Sequence, residues 1–156
     1  MSQSTLIQPV LKVCSLILLV FGLLMSVPLF MANLYNTGNS AALLNALFVT
    51  VGLAAVGWLL SRSHRIDILT PRKMLLITTT SWLLISLTGA LPFMLIPGLG
   101  GFTDAVFESV SGLTTTGSTV LVGLDGMAHD ILLWRSMLQW VGGLGVIGMA
   151  VAILPF

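Results

Sequence analysis

Charged side chains are scarce in this sequence, and their scarcity excludes most soluble folds. Of 156 residues, 6 are Lys or Arg and 5 are Asp or Glu, or 7% of the chain, whereas soluble domains average about 25%. Hydrophobic residues make up 56%, and the mean hydropathy is +1.08. So few charged side chains cannot cover the surface of a soluble domain, so the composition predicts a membrane protein.

Other shortages narrow the function classes. Cys14 is the single cysteine, which excludes an internal disulfide framework, and it lies in an apolar run as a small hydrophobe. The net charge of +1 gives no basis for binding nucleic acid. Nucleotide, haem and metal-finger motifs are lacking, and an intramembrane serine protease is disfavoured because no G-x-S-G motif accompanies Ser118. We therefore expect that the protein is not an enzyme and that it binds no cofactor.

Long uncharged stretches indicate the spanning helices. Charged residues are absent over 13–61, 74–103 and 136–156. A spanning helix needs about 20 mostly apolar residues, and the first stretch is long enough for two, separated by the turn-forming cluster 35–40. Run length favours helices over barrel strands, which would alternate at every second residue. We predict an all-α membrane protein with spanning helices at 11–33, 41–60, 74–93 and 131–155.

The charges of the loops predict the orientation. Segment 61–73 holds four basic residues and one acid, whereas segment 94–130 holds four acids and no Lys or Arg. Basic loops stay cytoplasmic, so both termini should be cytoplasmic and 94–130 should be outside. A cleaved signal peptide is the alternative, disfavoured because the run 13–32 is longer than a usual h-region and no A-x-A site follows promptly. The predicted division is a helix pair, a basic cytoplasmic loop and a helix–loop–helix unit, at 1–60, 61–73 and 74–156.

The outer segment 94–130 has the pattern of a re-entrant loop. It contains the helix breakers P-G-L-G-G at 97–101, after which Thr103 or Asp104 can cap a helix and Gly112 can end it in the left-handed conformation. Apolar residues recur there at every fourth position: Phe102, Val106 and Val110. Such a helix is too short to span, so we predict a short pore helix followed by an extended chain that returns outward.

The run T-T-T-G-S-T at 114–119 follows this helix at a depth where polar groups are costly. Irregular backbone persists there only when it is buried in protein or lines an aqueous path. Backbone carbonyls and threonine hydroxyls can replace the water shell of a cation, a glycine lets carbonyls face one axis, and a helix C-terminus favours positive charge. The pattern predicts an ion filter. An ordinary linker is the alternative, because threonine favours strands and Gly-Ser favours turns.

Two longer stretches carry a family resemblance. F-E-S-V-S-G-L-T-T-T-G-S-T-V-L at 107–121, with W-R-S-M-L-Q-W-V-G-G-L-G-V-I-G-M-A-V-A-I-L-P at 134–155, resembles the first pore repeat of the bacterial Trk-type potassium uptake subunits (TrkH/TrkG) of the Trk/Ktr/HKT superfamily. The close match covers 102–155. The two preceding helices resemble the extra pair that comes before this repeat. The filter motif together with Q-W-x-G-G-x-G is specific, whereas T-T-G alone is weak.

The resemblance implies potassium uptake across a bacterial inner membrane, classed as symport. It implies four helix–loop–helix repeats around a pseudo-fourfold axis, so that this chain contacts the lipid bilayer and the remaining pore repeats. It also implies a homodimer and a cytosolic nucleotide-binding regulatory subunit. The implied selectivity filter is Thr114, Thr115, Thr116 and Gly117, with potassium at the carbonyls of Thr115 and Thr116. Thr119, just beyond it, is expected to matter less. The alternative is a non-conducting truncated fragment or folding module.

Residues beside the filter are candidates for supporting it: Glu108, Gly112 and Ser118. Glu108 either braces the filter by accepting backbone N–H bonds or lies in an outer vestibule. Arg135 is expected to form an ion pair with Asp130 or Glu108, the alternative being interfacial snorkelling. His129 and Asp130 are interpreted as loop residues.

Small residues recur at every third position of the last helix: Gly142, Gly145 and Gly148. Close helix packing is the expected role of this stripe, since small residues let membrane helices approach each other. A flexible point for gating is the alternative.

Overall fold

The described part of the chain is built from helices. The structure, a computed structural model, describes residues 4–62 and 70–153, so most of the predicted cytoplasmic loop 61–73 lies outside the described residues. The described residues form seven α-helices: α1 (Ser4–Leu24), α2 (Ser26–Leu34), α3 (Ser40–Ser61), α4 (Pro71–Gly89), α5 (Leu91–Leu95), α6 (Phe102–Leu113) and α7 (His129–Ile153). A short 3-10 turn at Leu124–Gly126 precedes α7.

Within these ranges, four helical segments are long and apolar enough to cross a membrane: Ile7–Leu34, Ser40–Ser61, Pro71–Leu95 and His129–Gly148. They confirm the four predicted spanning helices. The start of the last one corrects the sequence interpretation, because His129 and Asp130 open α7 and are not loop residues. An acid in the first turn suits the positive end of a helix, and this signal favours the observed start at His129.

Two of the spanning segments are interrupted near a proline. α1 ends at Leu24 and α2 begins at Ser26, and Pro28 has no N–H to donate to the carbonyl four residues earlier. α4 ends at Gly89, and α5 restarts at Leu91 with Pro92 in its first turn, where the missing N–H is tolerated. Each interruption divides a segment that composition alone describes as one helix.

Trp134 on α7 joins three helices in the core. Its ring is 1% exposed and lies 5.4 Å from the ring of Phe21 on α1, centroid to centroid. Its Nε1 donates a hydrogen bond of 3.0 Å to the carbonyl of Gly89, the last residue of α4. The end of α4 at Gly89 therefore packs directly against α7. Both α4 and α7 also contact the short helix α6.

The buried face of α6 differs from the predicted one. Phe102 is 63% exposed and Val110 is 39% exposed, although both belong to the predicted apolar face. The buried residues are mostly small or polar: Ala105, Glu108, Ser109, Ser111, Gly112 and Leu113. A bilayer is as apolar as leucine, so hydrophobic periodicity does not identify the helix face that packs against protein in a membrane.

Candidate ion-coordinating loop

The loop begins with its backbone N–H groups bonded back to α6. Thr114 N and Thr115 N donate to the carbonyls of Val110 and Gly112, both at 2.9 Å. Thr116 N and Gly117 N share the Ser111 carbonyl at 3.1 and 3.2 Å. All four donors are thus satisfied by the last turn of the helix, which fixes the start of the loop without using its own carbonyls.

A threonine, not the predicted glycine, ends the helix. Thr115 has a φ of +57°, in the left-handed region that non-glycine residues rarely adopt. Gly112 is still helical and has no positive φ, so its predicted role as the left-handed cap is wrong. Gly117 follows with a φ of +76°. Left-handed residues therefore occur at two alternate positions within the predicted filter.

The carbonyls of the same four residues, 114–117, point to the chemistry of the loop. None of them accepts a hydrogen bond from any residue that the structure describes. The hydroxyl of Thr114 bonds to the Val110 carbonyl at 2.9 Å and to the hydroxyl of Thr116 at 2.9 Å. Thr114, Thr115 and Thr116 are exposed and Gly117 is half-buried. Satisfied donors beside open carbonyl acceptors form a surface suited to a cation.

Glu108 connects the returning loop to α7. The carboxylate is 1% exposed, and its Oε1 accepts bonds from the Thr119 hydroxyl at 2.6 Å and from Val120 N at 2.7 Å. Its Oε2 lies 2.8 Å from Arg135 Nε. The ion pair expected for Arg135 is therefore confirmed with Glu108. The backbone N–H that Glu108 accepts belongs to Val120, beyond the four predicted filter residues.

Ser111 ties the loop a second time. Its hydroxyl donates to the Ser118 carbonyl at 2.6 Å, while its own carbonyl receives the two N–H groups of Thr116 and Gly117. Ser111 was not among the predicted site residues. A serine three residues before a threonine run is an available signal, since serine hydroxyls readily bond to nearby backbone. Thr119 also has more contacts than expected, because its hydroxyl accepts from Leu121 N at 3.0 Å.

Glycines let α6 approach α7. A Cβ at Gly112 would lie 2.9 Å from the Leu138 Cβ, and a Cβ at Gly142 would overlap the carbonyl of Leu113. The rest of the predicted stripe is looser. A Cβ at Gly145 would lie 3.5 Å from Trp82, and no described atom lies within 4 Å of one at Gly148. Within the described chain, the close approach therefore concentrates at Gly142, against Leu113, the last residue of α6 before the loop.

We expect Gly142→Ala to destabilise the protein by about 1–3 kcal/mol, as overpacking does elsewhere. The added methyl would push Leu113 and the loop that follows it away from α7. The measurement is the apparent melting temperature of the purified full-length protein in detergent. Gly148→Ala is the matched control and should leave it unchanged. Equal effects of the two variants would show that the stripe acts by another route.

A second polar contact ties the N-terminal helices to the start of α7. Asp130 is fully buried, and its Oδ2 accepts a bond of 2.9 Å from the Asn39 side chain. The ring of His129 stacks on Tyr35 at 4.7 Å between centroids. Asp130 Oδ1 and the Ser109 hydroxyl have no hydrogen-bond partner among the described residues. Asp130 therefore anchors the turn between α2 and α3, and it takes no part in the ion pair once expected of it.

Comparisons with known proteins find a matching family, similar sequences and a similar structure. The sequence profile of the TrkH family, described as a cation transport protein, matches residues 39–156. The Trk system potassium uptake protein TrkH of Escherichia coli strain K12 is 42% identical over 146 residues, covering 92% of this chain and 30% of that protein. The Trk system potassium uptake protein TrkI of Halomonas elongata is 38% identical over 149 residues, covering 95% of this chain and 30% of that protein.

A solved structure gives the same result. The crystal structure of the potassium transporter TrkH from Vibrio parahaemolyticus matches with a TM-score of 0.85 at 36% identity, covering 96% of this chain and 32% of that one. The chain thus spans about 30% of the length of the curated relatives it matches.

Proposed function

Because the chain belongs to the TrkH family of cation transport proteins, we propose that it supplies one filter repeat to a potassium uptake protein of a bacterial membrane. Residues 114–117 are the proposed ion-coordinating segment, with the carbonyls of Thr115 and Thr116 as the principal ligands. TrkI of Halomonas elongata and TrkH of Escherichia coli are both named as potassium uptake proteins, which supports potassium as the ion.

One observation carries the proposal: the carbonyls of residues 114–117 accept no hydrogen bond from any described residue, while the N–H groups of the same residues are bonded to α6. In an extended chain, successive carbonyls alternate in direction. Left-handed residues at Thr115 and Gly117 interrupt that alternation and allow neighbouring carbonyls to face one axis. The C-terminus of α6, where the helix dipole is negative, lies next to them. These features favour a partly dehydrated cation over an anion.

One loop supplies only part of a coordination shell. In the proposed assembly, three further repeats complete the ring, and Glu108 with Arg135 holds this loop at a fixed distance from α7. The test is rubidium or potassium uptake, with sodium as competitor, by a full-length family member carrying this segment in a strain that lacks its own uptake systems. Restored uptake favouring potassium supports the proposal. Stable expression without uptake would favour a non-conducting folding module.

The assembly and coupling of the full-length protein are proposed on the resemblance. They comprise an inner-membrane homodimer, a cytosolic nucleotide-binding regulatory subunit and symport. The four spanning segments support contact with the bilayer, and the scarcity of charge among them is consistent with it. The selectivity of the filter for potassium over sodium belongs to the same proposal.

The proposed orientation has both termini in the cytoplasm, and cysteine labelling tests it. Cysteines introduced at Asp125, in the outer segment, and at Ser63, in the basic loop outside the described residues, should differ in access. A membrane-impermeant maleimide added to intact cells should label Asp125→Cys and leave Ser63→Cys unlabelled. The native Cys14 is buried and serves as the background control. Labelling of Ser63→Cys from outside would reverse the topology.

A further inference from the structure

Three residues at successive turns of α7 face the ion-coordinating loop: Arg135, Gln139 and Gly143. The first is tied to the returning segment of the loop by the ion pair described above. A Cβ built on Gly117 would lie 3.2 Å from Gln139 Nε2, and a Cβ built on Gly143 would lie 4.0 Å from the methyl group of Thr115. One face of α7 therefore follows the loop from its first left-handed residue to its return.

The spacing of the two segments agrees with this arrangement. Four residues of an α-helix rise about 6 Å at 1.5 Å per residue, and two residues of extended chain span up to about 7 Å. Because the loop and α7 run in opposite directions, a residue two positions beyond Gly117 is expected beside Arg135. Thr119 is that residue, and its hydroxyl bonds to Glu108, the partner of Arg135.

Gln139 is the member of this row whose polar group has no partner. It is half-buried and lies at the middle of the apolar span His129–Gly148. Its amide offers two N–H donors and a carbonyl acceptor, yet it makes no hydrogen bond with any residue that the structure describes. An unpaired amide is costly at the centre of a membrane. The open side of Gln139 therefore faces polar groups in the full-length protein, and not lipid.

The neighbours of Gln139 on α7 show where these polar groups lie. Ser136 is exposed, and its hydroxyl is already bonded to the Leu132 carbonyl at 2.9 Å. Trp140 is 64% exposed, so the side of α7 next to Gln139 is uncovered by this chain. The chain spans about 30% of the length of its curated relatives, and the proposed ring has further repeats. The irregular backbone of another filter loop is a polar surface at the required depth.

We propose that Gln139 is a positioning residue that sets the ion preference of the filter, with its amide packed against Gly117 and hydrogen-bonded to the loop backbone of a neighbouring repeat. The inference rests on the proposed function, because it requires the ring of repeats. An amide that joins two loops fixes the width of the ring beside Gly117. The preference among ions depends on the spacing and field of the carbonyls, so loosening this joint should relax it.

Uptake by the full-length protein tests the role of the amide. Gln139→Met keeps the length of the side chain and removes its hydrogen bonds. We expect the preference for potassium over sodium to fall about fivefold, the size expected for one net hydrogen bond, with the KM for rubidium raised. The maximal rate of rubidium uptake and the apparent melting temperature should stay close to those of the unsubstituted protein. Ser136→Ala removes a hydroxyl that is already bonded within α7 and should change none of these quantities.

A double variant tests whether Gln139 acts through Gly117. Because both changes displace the same part of the ring, Gln139→Met added to Gly117→Ala should lower the preference little further. Additive losses, or an equal loss with Ser136→Ala, overturn the inference. A lower melting temperature with unchanged ion preference marks a merely structural role and also overturns it.

The unsubstituted protein separates this inference from the proposed function. If it prefers potassium and Gln139→Met keeps that preference, the role of Gln139 fails alone. If the unsubstituted protein shows no preference for potassium, the proposed function fails and the inference fails with it.

Discussion

Replacing Glu108 by alanine is expected to abolish ion uptake by the full-length transporter and to destabilise it by about 3–5 kcal/mol, the usual cost of breaking a buried pair by removing one partner. The Arg135 side chain is only 15% exposed, so it would keep its charge with little water to solvate it. The Thr119 hydroxyl and Val120 N would lose their acceptor at the same time. The returning segment of the loop would then be released from α7.

A set of variants distinguishes loss of the Glu108–Arg135 pair from a general loss of folding stability. Rubidium uptake and apparent melting temperature are measured for Glu108→Ala, Arg135→Gln and the double variant. Because the two side chains act on each other, the double variant should cost much less than the sum of the single ones. Asp125→Asn removes an exposed acid from the same outer segment and should be close to the unsubstituted protein. Normal uptake with Glu108→Ala would show that the loop needs no such brace.

The spanning helices could be predicted because the membrane imposes a length on them. Absence of charge over 13–61 and 74–103 corresponds to the observed spans, and the breakers at 97–101 correctly precede a short helix. Each of these signals depends on local sequence alone. The two interruptions, at Met25 and Ala90, were missed. A proline close to the end of an apolar run gives a cue to each.

The contacts within the site could not be predicted in the same way, because they depend on which helix faces meet. Glycines at 142, 145 and 148 look equivalent in the sequence, yet only the first of the three is closely packed against α6. Likewise, the sequence offered Arg135 two possible acidic partners, Asp130 and Glu108. Its choice of Glu108 follows from the packing of α6 on α7, which leaves Asp130 bonded to Asn39 instead.

The buried face of α6 was also predicted wrongly, because it too depends on packing between helices. Its polar side chains face the protein because buried hydrogen bonds, such as those of Glu108 and Ser111, hold the loop in place. Three of its bulky apolar side chains, Phe102, Phe107 and Val110, are exposed on this chain. In a soluble helix the same pattern would bury the phenylalanine, since water would drive it inward. The apolar periodicity of 102–110 therefore predicted the helix correctly, but it predicted the wrong buried face.

Gly117 should be the most sensitive residue of the proposed filter. Its φ of +76° lies in the left-handed region, where a side chain costs roughly 1–2 kcal/mol. A Cβ there would also lie 3.2 Å from Gln139 Nε2, a tight contact that would shift either the glutamine or the loop. We expect Gly117→Ala, and Gly117→Ser more strongly, to lower potassium uptake or the preference for potassium over sodium by about tenfold or more, because displaced carbonyls no longer match one ion.

Gly123 provides the control for backbone strain. Its φ is +75°, and no described atom lies within 4 Å of a Cβ built on it, so Gly123→Ala carries the same conformational cost in the same outer segment without touching the proposed filter. Potassium uptake with sodium competition should therefore be nearly normal in Gly123→Ala and impaired in Gly117→Ala. If both variants keep the original ion preference, residues 114–117 form a linker. If both lose uptake equally, strain in the outer segment accounts for the effect, and the carbonyls of Thr115 and Thr116 lose their assigned role.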